Sequence, residues 1–305
     1  MKRTNLLIAA VLFAVLTAMS ACKTAQPPAE AQEELTGELQ QIDATVGDIK
    51  QRTEEEIVQR GDLYVMAIGI NEYSTDVFTN LKYAANDAQN ICDIFNAQAG
   101  KVFRNVNTLL ITDKEKITPT KENILKNMEF FKNARQIDTA VLFVASHRIV
   151  IDGVFYLMSS DSKYNKDDGF ILSSFIKFDD ILKQLNFKGN KILIIDTNSP
   201  EIAKGGDFTI IRACKENEQA IESSTYNGGL LTASILDAFA NIDTEYGVIT
   251  VNALFDYVVE KVGELSKNKQ TPVLNAAAGA KDLIIGYRLE GLITDMKDLA
   301  GRKSN

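Results

Sequence analysis

The sequence predicts an α/β protein built on an open, mostly parallel six-stranded sheet with helices on both faces. Three observations carry that expectation. Apolar runs of strand length are continuous, not alternating, as in strands covered on both sides. Segments with helical periodicity lie between most of them. The 305 residues, 45% hydrophobic and 24% charged, have the make-up of an ordinary globular protein and not of a disordered, collagenous or many-span membrane chain.

Taken in order, the strand runs are LYVMAIGI (63–70), VNTLLI (106–111), TAVLFVA (139–145), KILIID (191–196), FTIIRA (208–213) and DLIIG (282–286), the last closing the series. Between them, residues 83–96 read as a helix. Residues 119–134 read as another, with Thr118 as N-cap and Pro119 at the first helical position. Residues 179–185 form a third, and 228–239 and 250–265 two more. In the last, Val251, Leu254, Phe255, Val258 and Val262 fall on one face. The segment DGVFYLMSSDS after the third strand reads as a hairpin, and Asp167 and Asp168 in YNKDDG as a solvated turn. No internal repeat interrupts a single domain over residues 61–290, with 291–305 as a C-terminal tail.

Upstream, Lys2 and Arg3 precede an apolar run and small residues that lead to Cys22, the pattern of a secretory signal over residues 1–21. Met19-Ser20-Ala21-Cys22 resembles a bacterial lipobox, which implies a lipid on the Cys22 thiol and a soluble domain anchored to a leaflet without spanning it. Lys23 after that cysteine points to the outer membrane more than the inner one if the host is Gram-negative. Residues 22–34 are Pro-, Ala- and Glu-rich and read as a flexible linker. In 35–60, Leu35, Leu39, Ile42, Val46 and Ile49 make a short heptad seam broken by Gly37 and Gly47. That seam is open to three readings: an amphipathic helix on the domain, a stalk, or self-association through residues 35–57.

Charge and composition limit the chemistry. The net charge is -8, and about -10 once Lys2 and Arg3 are removed with the signal, which argues against nucleic acid as a partner. Three cysteines, Cys22, Cys92 and Cys214, have no paired spacing that would hold zinc, and a single histidine forces any imidazole chemistry through His147. There is no glycine-rich phosphate loop, so no metal or cofactor is expected. In open α/β sheets, chemistry gathers just past the carboxyl ends of the strands. Two such ends are rich: Ser146-His147-Arg148 after the third strand, and Thr197-Asn198-Ser199-Pro200 after the fourth.

With these pieces in order, the chain from residue 63 to 286 resembles the caspase-like cysteine peptidases, in particular their bacterial and metacaspase branch. LKYAANDAQNICDIF looks like that family's Asn-Asp-Ala helix start. FVASHRIVIDGVFYL looks like its strand ending in Ser-Gly-His-Gly and the hairpin after it, and ILIIDTNSP like its strand ending in Asp-Ala-Cys-His-Ser. NGGLLTASILDAF, ITVNALFDYVVEKV and QTPVL match its later helices and the Gln-Thr-Pro before its last strand.

The resemblance implies that His147 is the retained histidine and that Asn198 stands where the family has its cysteine nucleophile. A carboxamide cannot supply a thiolate, so the resemblance implies a pseudo-peptidase, a binding or scaffold module. Arg148 in place of a glycine also disturbs the backbone that would hold an oxyanion. An active endopeptidase cleaving after basic residues is the alternative, with Ser199 or Cys214 as nucleophile beside His147. In metacaspase-like members, aspartates matching Asp87 and Asp196 line a pocket for an Arg or Lys side chain. Here that implies a partner peptide or protein with basic residues. The other reading of the two acids is structural: Asp87 caps its helix and Asp196 holds loop backbone.

Overall fold

The structure, a computed structural model, describes residues 60–198 and 206–289. The signal segment, Cys22, the linker, the 35–60 seam, Ser199 and the tail lie outside the described residues. All described residues belong to one compact unit, within Ile57–Asn305.

In chain order the elements are β1 (Leu63–Gly69), α1 (Ala84–Asn96), β2 (Val106–Thr112), α2 (Lys121–Asn127) and β3 (Thr139–Ala145). Then come β4 (Arg148–Ile151), β5 (Val154–Leu157), β6 (Tyr164–Asn165), β7 (Gly169–Phe170) and β8 (Ile176–Lys177). They are followed by α3 (Phe178–Gln184), β9 (Asn190–Asn198), β10 (Phe208–Cys214), β11 (Glu222–Ser223), β12 (Gly228–Gly229) and α4 (Leu230–Asn241). Last are β13 (Val248–Thr250), α5 (Val251–Ser266), β14 (Val273–Asn275) and β15 (Ile284–Tyr287). The main sheet has the order β14-β10-β9-β3-β1-β2. Its five inner pairings are parallel except β10 with β14, which is antiparallel.

Side-chain alternation along each strand divides the core in two. Leu63, Val65 and Ala67 of β1, Val141 and Phe143 of β3, and Ile192 and Ile194 of β9 pack on the face that α1, α4 and α5 cover. Met66 and Ile68, Leu142 and Val144, and Leu193 and Ile195 point to the opposite face, under α2 and α3. Both faces of the sheet are therefore dry, which explains the continuous apolar runs. Gly69 is required at the end of β1, because a Cβ there would stand 2.1 Å from the Ala84 carbonyl oxygen where α1 begins.

Two expectations are corrected. The sixth strand of the sheet is β14, within the segment after Gln270-Thr271-Pro272, and not residues 282–286; β15 instead pairs antiparallel with β13 in a separate two-stranded ribbon. The second helix starts later than read: Thr120, not Thr118, is the N-cap, its side chain accepting from the Asn123 N–H at 3.2 Å, and after Asn127 the chain tightens into a 3₁₀ turn over Met128–Asn133. The hairpin after β3 is present as β4 and β5, closed by Asp152 and Gly153 with φ of 51° and 74°, the left-handed pair a tight turn needs.

Candidate functional site

The chain leaves β1 and β3 toward opposite edges of the sheet, and a cleft opens beyond their carboxyl ends, as this topology favours. The cavity of about 440 Å³ takes its walls from Ala145, Ser146 and His147 after β3 and from Asp196 and Thr197 of β9. Thr79, Leu81, Ala84 and Asp87 come from the β1–α1 connection and α1, and the segment 219–222 with Gly229 closes it. His147, Asp87 and Asp196, three residues singled out in the sequence, thus line one cavity.

The imidazole of His147 is clamped. Its Nε2 lies 2.6 Å from the Thr79 carbonyl oxygen, which can only accept, so Nε2 carries the proton and Nδ1 is the ring's basic nitrogen when neutral. The ring sits between Tyr73 and Phe78, with centroids 5.0 and 5.2 Å away. The His147 backbone N–H donates to the Tyr73 hydroxyl at 2.8 Å, and that hydroxyl donates on to the Ile70 carbonyl at 3.1 Å. Burial pushes the Tyr73 hydroxyl well above the usual phenol range, so it stays a neutral bridge. None of these partners was legible in the sequence, because the 71–83 loop has no periodicity and its role depends on a contact 68 residues away.

Asp196 continues the alternation of Ile192 and Ile194 and therefore faces α1 and α4. One of its carboxylate oxygens accepts from the Thr232 hydroxyl of α4 at 3.0 Å. Asp87 occupies the first turn of α1 but does not cap it: its two oxygens accept from the Gly229 N–H at 3.2 and 3.0 Å. Glu222 accepts from the Lys82 and Tyr83 N–H groups just ahead of α1 at 3.0 and 2.9 Å, and the first turn itself is capped by Asn71, whose side-chain oxygen accepts from the Ala85 N–H at 2.8 Å. Glycines are needed opposite the two acids. A Cβ on Gly228 would come within 2.5 Å of an Asp87 oxygen, and one on Gly229 within 2.6 Å of an Asp196 oxygen.

Both aspartates are buried, at 2% and 9% exposure. Burial, then the nearby Asp196 carboxylate, raises Asp87 well above the ordinary range. Burial, and to a lesser degree the Glu222 carboxylate, pushes Asp196 up to about 6. The pair is a buried acid couple that resists carrying two negative charges at once. An arriving guanidinium or ammonium would relieve both causes, by charge and by hydrogen bonds to the carboxylate oxygens.

The position where the sequence resemblance expects a nucleophile is less favourable. Asn198 ends β9, its backbone in register with Cys214 of β10. Cys214 is fully buried, and burial followed by the Glu218 carboxylate pushes its thiol up to about 12, so at neutral pH it is a thiol packed like an apolar side chain. Cys92 in α1 is likewise buried, its thiol also pushed up to about 12 by burial. Among the described residues, no three His, Cys, Asp or Glu side chains are grouped as metal ligands would be.

A sheet of this order, with a clamped histidine just past β3 and a buried acid near the end of β9 facing another on α1, fits the caspase-like class of α/β proteins. A family model of the caspase domain matches residues 63–284, and the chain belongs to that family. No curated protein sequence matches it. Among solved structures, it is similar to the crystal structure of protein GSU0716 from Geobacter sulfurreducens, at 12% identity and a TM-score of 0.54. That alignment covers 74% of this chain and 99% of the other. It is also similar to the Drosophila initiator caspase Dronc, at 13% identity and a TM-score of 0.51, over 73% of this chain and 82% of Dronc.

Proposed function

We propose that this chain is a lipid-anchored pseudo-peptidase of the bacterial cell envelope that holds an Arg- or Lys-bearing peptide or protein segment without cutting it. The observation that carries the reading is the pairing of buried Asp87 and Asp196 on one wall of the cavity that His147 lines, while the position of the family's thiol is Asn198. Two desolvated carboxylates against an absent nucleophile favour recognition over turnover. Losing the nucleophile of such a dyad typically costs several orders of magnitude in rate. The lipobox-like stretch ending in Cys22 supports attachment to a membrane surface through acyl chains, the outer membrane being favoured in a Gram-negative host.

The test uses the full chain in detergent with fluorogenic peptides ending in Arg or Lys, beside His147→Ala and Asn198→Cys. The expected result is no hydrolysis by the wild type, with saturable binding of Arg peptides weakened roughly a hundredfold by Asp87→Asn or Asp196→Asn, as loss of a buried charged partner implies. Hydrolysis by the wild type that vanishes in His147→Ala would overturn the reading and direct attention to Ser199.

A further inference from the structure

Beyond His147 the rings do not stop. Phe78, stacked on the imidazole, lies 5.8 Å from Phe170, and Phe170 lies 5.2 Å from Tyr164, centroid to centroid. Phe78 and Phe170 are half-buried and rest on the small core of Ile149, Tyr156, Met158 and Phe175, so the ladder has a rigid floor. Its outer surface is wet. Among the described residues six large apolar side chains are exposed, and three of them are here: Val77 beside Phe78 in sequence, Ile171 beside Phe170, and Tyr164 itself. Scattered exposed apolar residues need no explanation, but a run that begins at the wall of a charged cavity does.

Resting on the basic-pocket reading above, we infer that the segment held in this cavity carries a large apolar side chain close to its basic residue, seated on the ladder of Phe78, Phe170 and Tyr164. Charge complementarity fixes one end of the occupant, since Asp87 and Asp196 call for a cation. Continuity fixes the other, because His147 both lines the cavity and begins the ladder. Successive rings are 5 to 6 Å apart, and an extended chain advances roughly 3.3 Å per residue, so neighbouring rungs of the ladder are roughly two residues apart along an occupant. Lys163, Lys166, Asp167 and Asp168 make an exposed charged rim around the Tyr164 end, as polar borders surround apolar contact sites.

The experiment measures binding of two sets of capped synthetic peptides to the full chain. Each peptide has one Arg and either Phe or Ser two, three or four residues away, on its N-terminal or C-terminal side. In at least one register the Phe peptide is expected to bind about tenfold more tightly than its Ser counterpart. The double variant Tyr164→Ser with Ile171→Ser should remove that advantage and leave the Ser peptides' affinity unchanged. Both side chains are exposed, so an unchanged thermal melt checks that the fold survives. If Arg peptides bind in an Asp87- and Asp196-dependent way but Phe and Ser peptides bind equally in every register, or if the advantage survives in the double variant, this inference falls alone. If no Arg peptide binds, the basic-pocket reading falls with it.

Discussion

At Asp196 the raised carboxyl converts directly into a pH dependence of stability. In the unfolded chain an aspartate ionises near 4, whereas in the fold Asp196 holds its proton to about 6. Between those values the folded state binds more protons than the unfolded one, so Asp196's contribution to stability falls as pH rises from about 4 to about 6, and Asp87, raised well above the ordinary range, adds a further loss in the same direction. The loss from Asp196 is about 3 kcal/mol for a shift of this size. Asp196→Asn keeps an oxygen to accept from Thr232 and removes the charge, so it should raise the melting temperature at pH 7 and make its fall between pH 4 and 6 shallower, buried Asp87 supplying the slope that remains. An unchanged pH profile in that variant would contradict the buried acid pair. Tyr73→Phe is expected to act in the opposite direction, lowering stability by about 1–2 kcal/mol in chemical denaturation, because the His147 N–H and the Ile70 carbonyl both lose the hydroxyl between them. At this scale the sequence singled out His147, Asp87 and Asp196 by their places at strand and helix ends, and the structure brings these three to one cavity. The sequence did not disclose Tyr73, Thr79, Glu222 or Thr232, whose roles arise from contacts between segments far apart in the chain.

At the level of elements, the start of α1 is held by a residue of another strand. Glu222 of β11 accepts from N–H groups 139 and 140 residues away. Its removal in Glu222→Ala strands the Lys82 and Tyr83 N–H groups ahead of α1 while Asn71 still holds the Ala85 N–H, at a cost of about 1 kcal/mol measurable as a lower denaturation midpoint. The junction of β12 and α4 is tighter still. Gly229→Ala drives a methyl group into Asp196 and is expected to abolish peptide binding and to destabilise by about 2 kcal/mol or more, since the obstacle is a buried carboxylate held by Thr232. Five strands of the sheet were visible as continuous apolar runs, because burial on both faces writes itself into the sequence. The sixth was not: β14 contributes only Val273, Leu274 and Asn275, all half-buried, and the longer apolar run at 282–286 gave no sign of its pairing with β13. Likewise Thr118 and Thr120 are equally good N-caps by residue type, and the choice was made by tertiary packing of the Pro119 carbonyl against the Ser160 N–H.

At the scale of the whole molecule, no helix among the described residues is long and apolar enough to cross a membrane. The proposed lipid on Cys22 predicts that Cys22→Ser abolishes incorporation of labelled fatty acid with an unchanged melting temperature. The sheet order has a further consequence for the timescales of the site. β3 and β9 are the two innermost strands, paired on both sides, and it is from their ends that His147 and Asp196 project. Backbone amides of Val144 and Ile195 should exchange with solvent deuterium only as fast as the whole domain unfolds, whereas those of the outer strand β2, bonded on one side, should exchange through smaller openings. The cleft therefore has a slow half and a fast half. The ends of the inner strands keep the histidine and the acid in place, and the amides of the loops that carry Thr79 and Gln219 are expected to exchange through local openings that leave the domain folded.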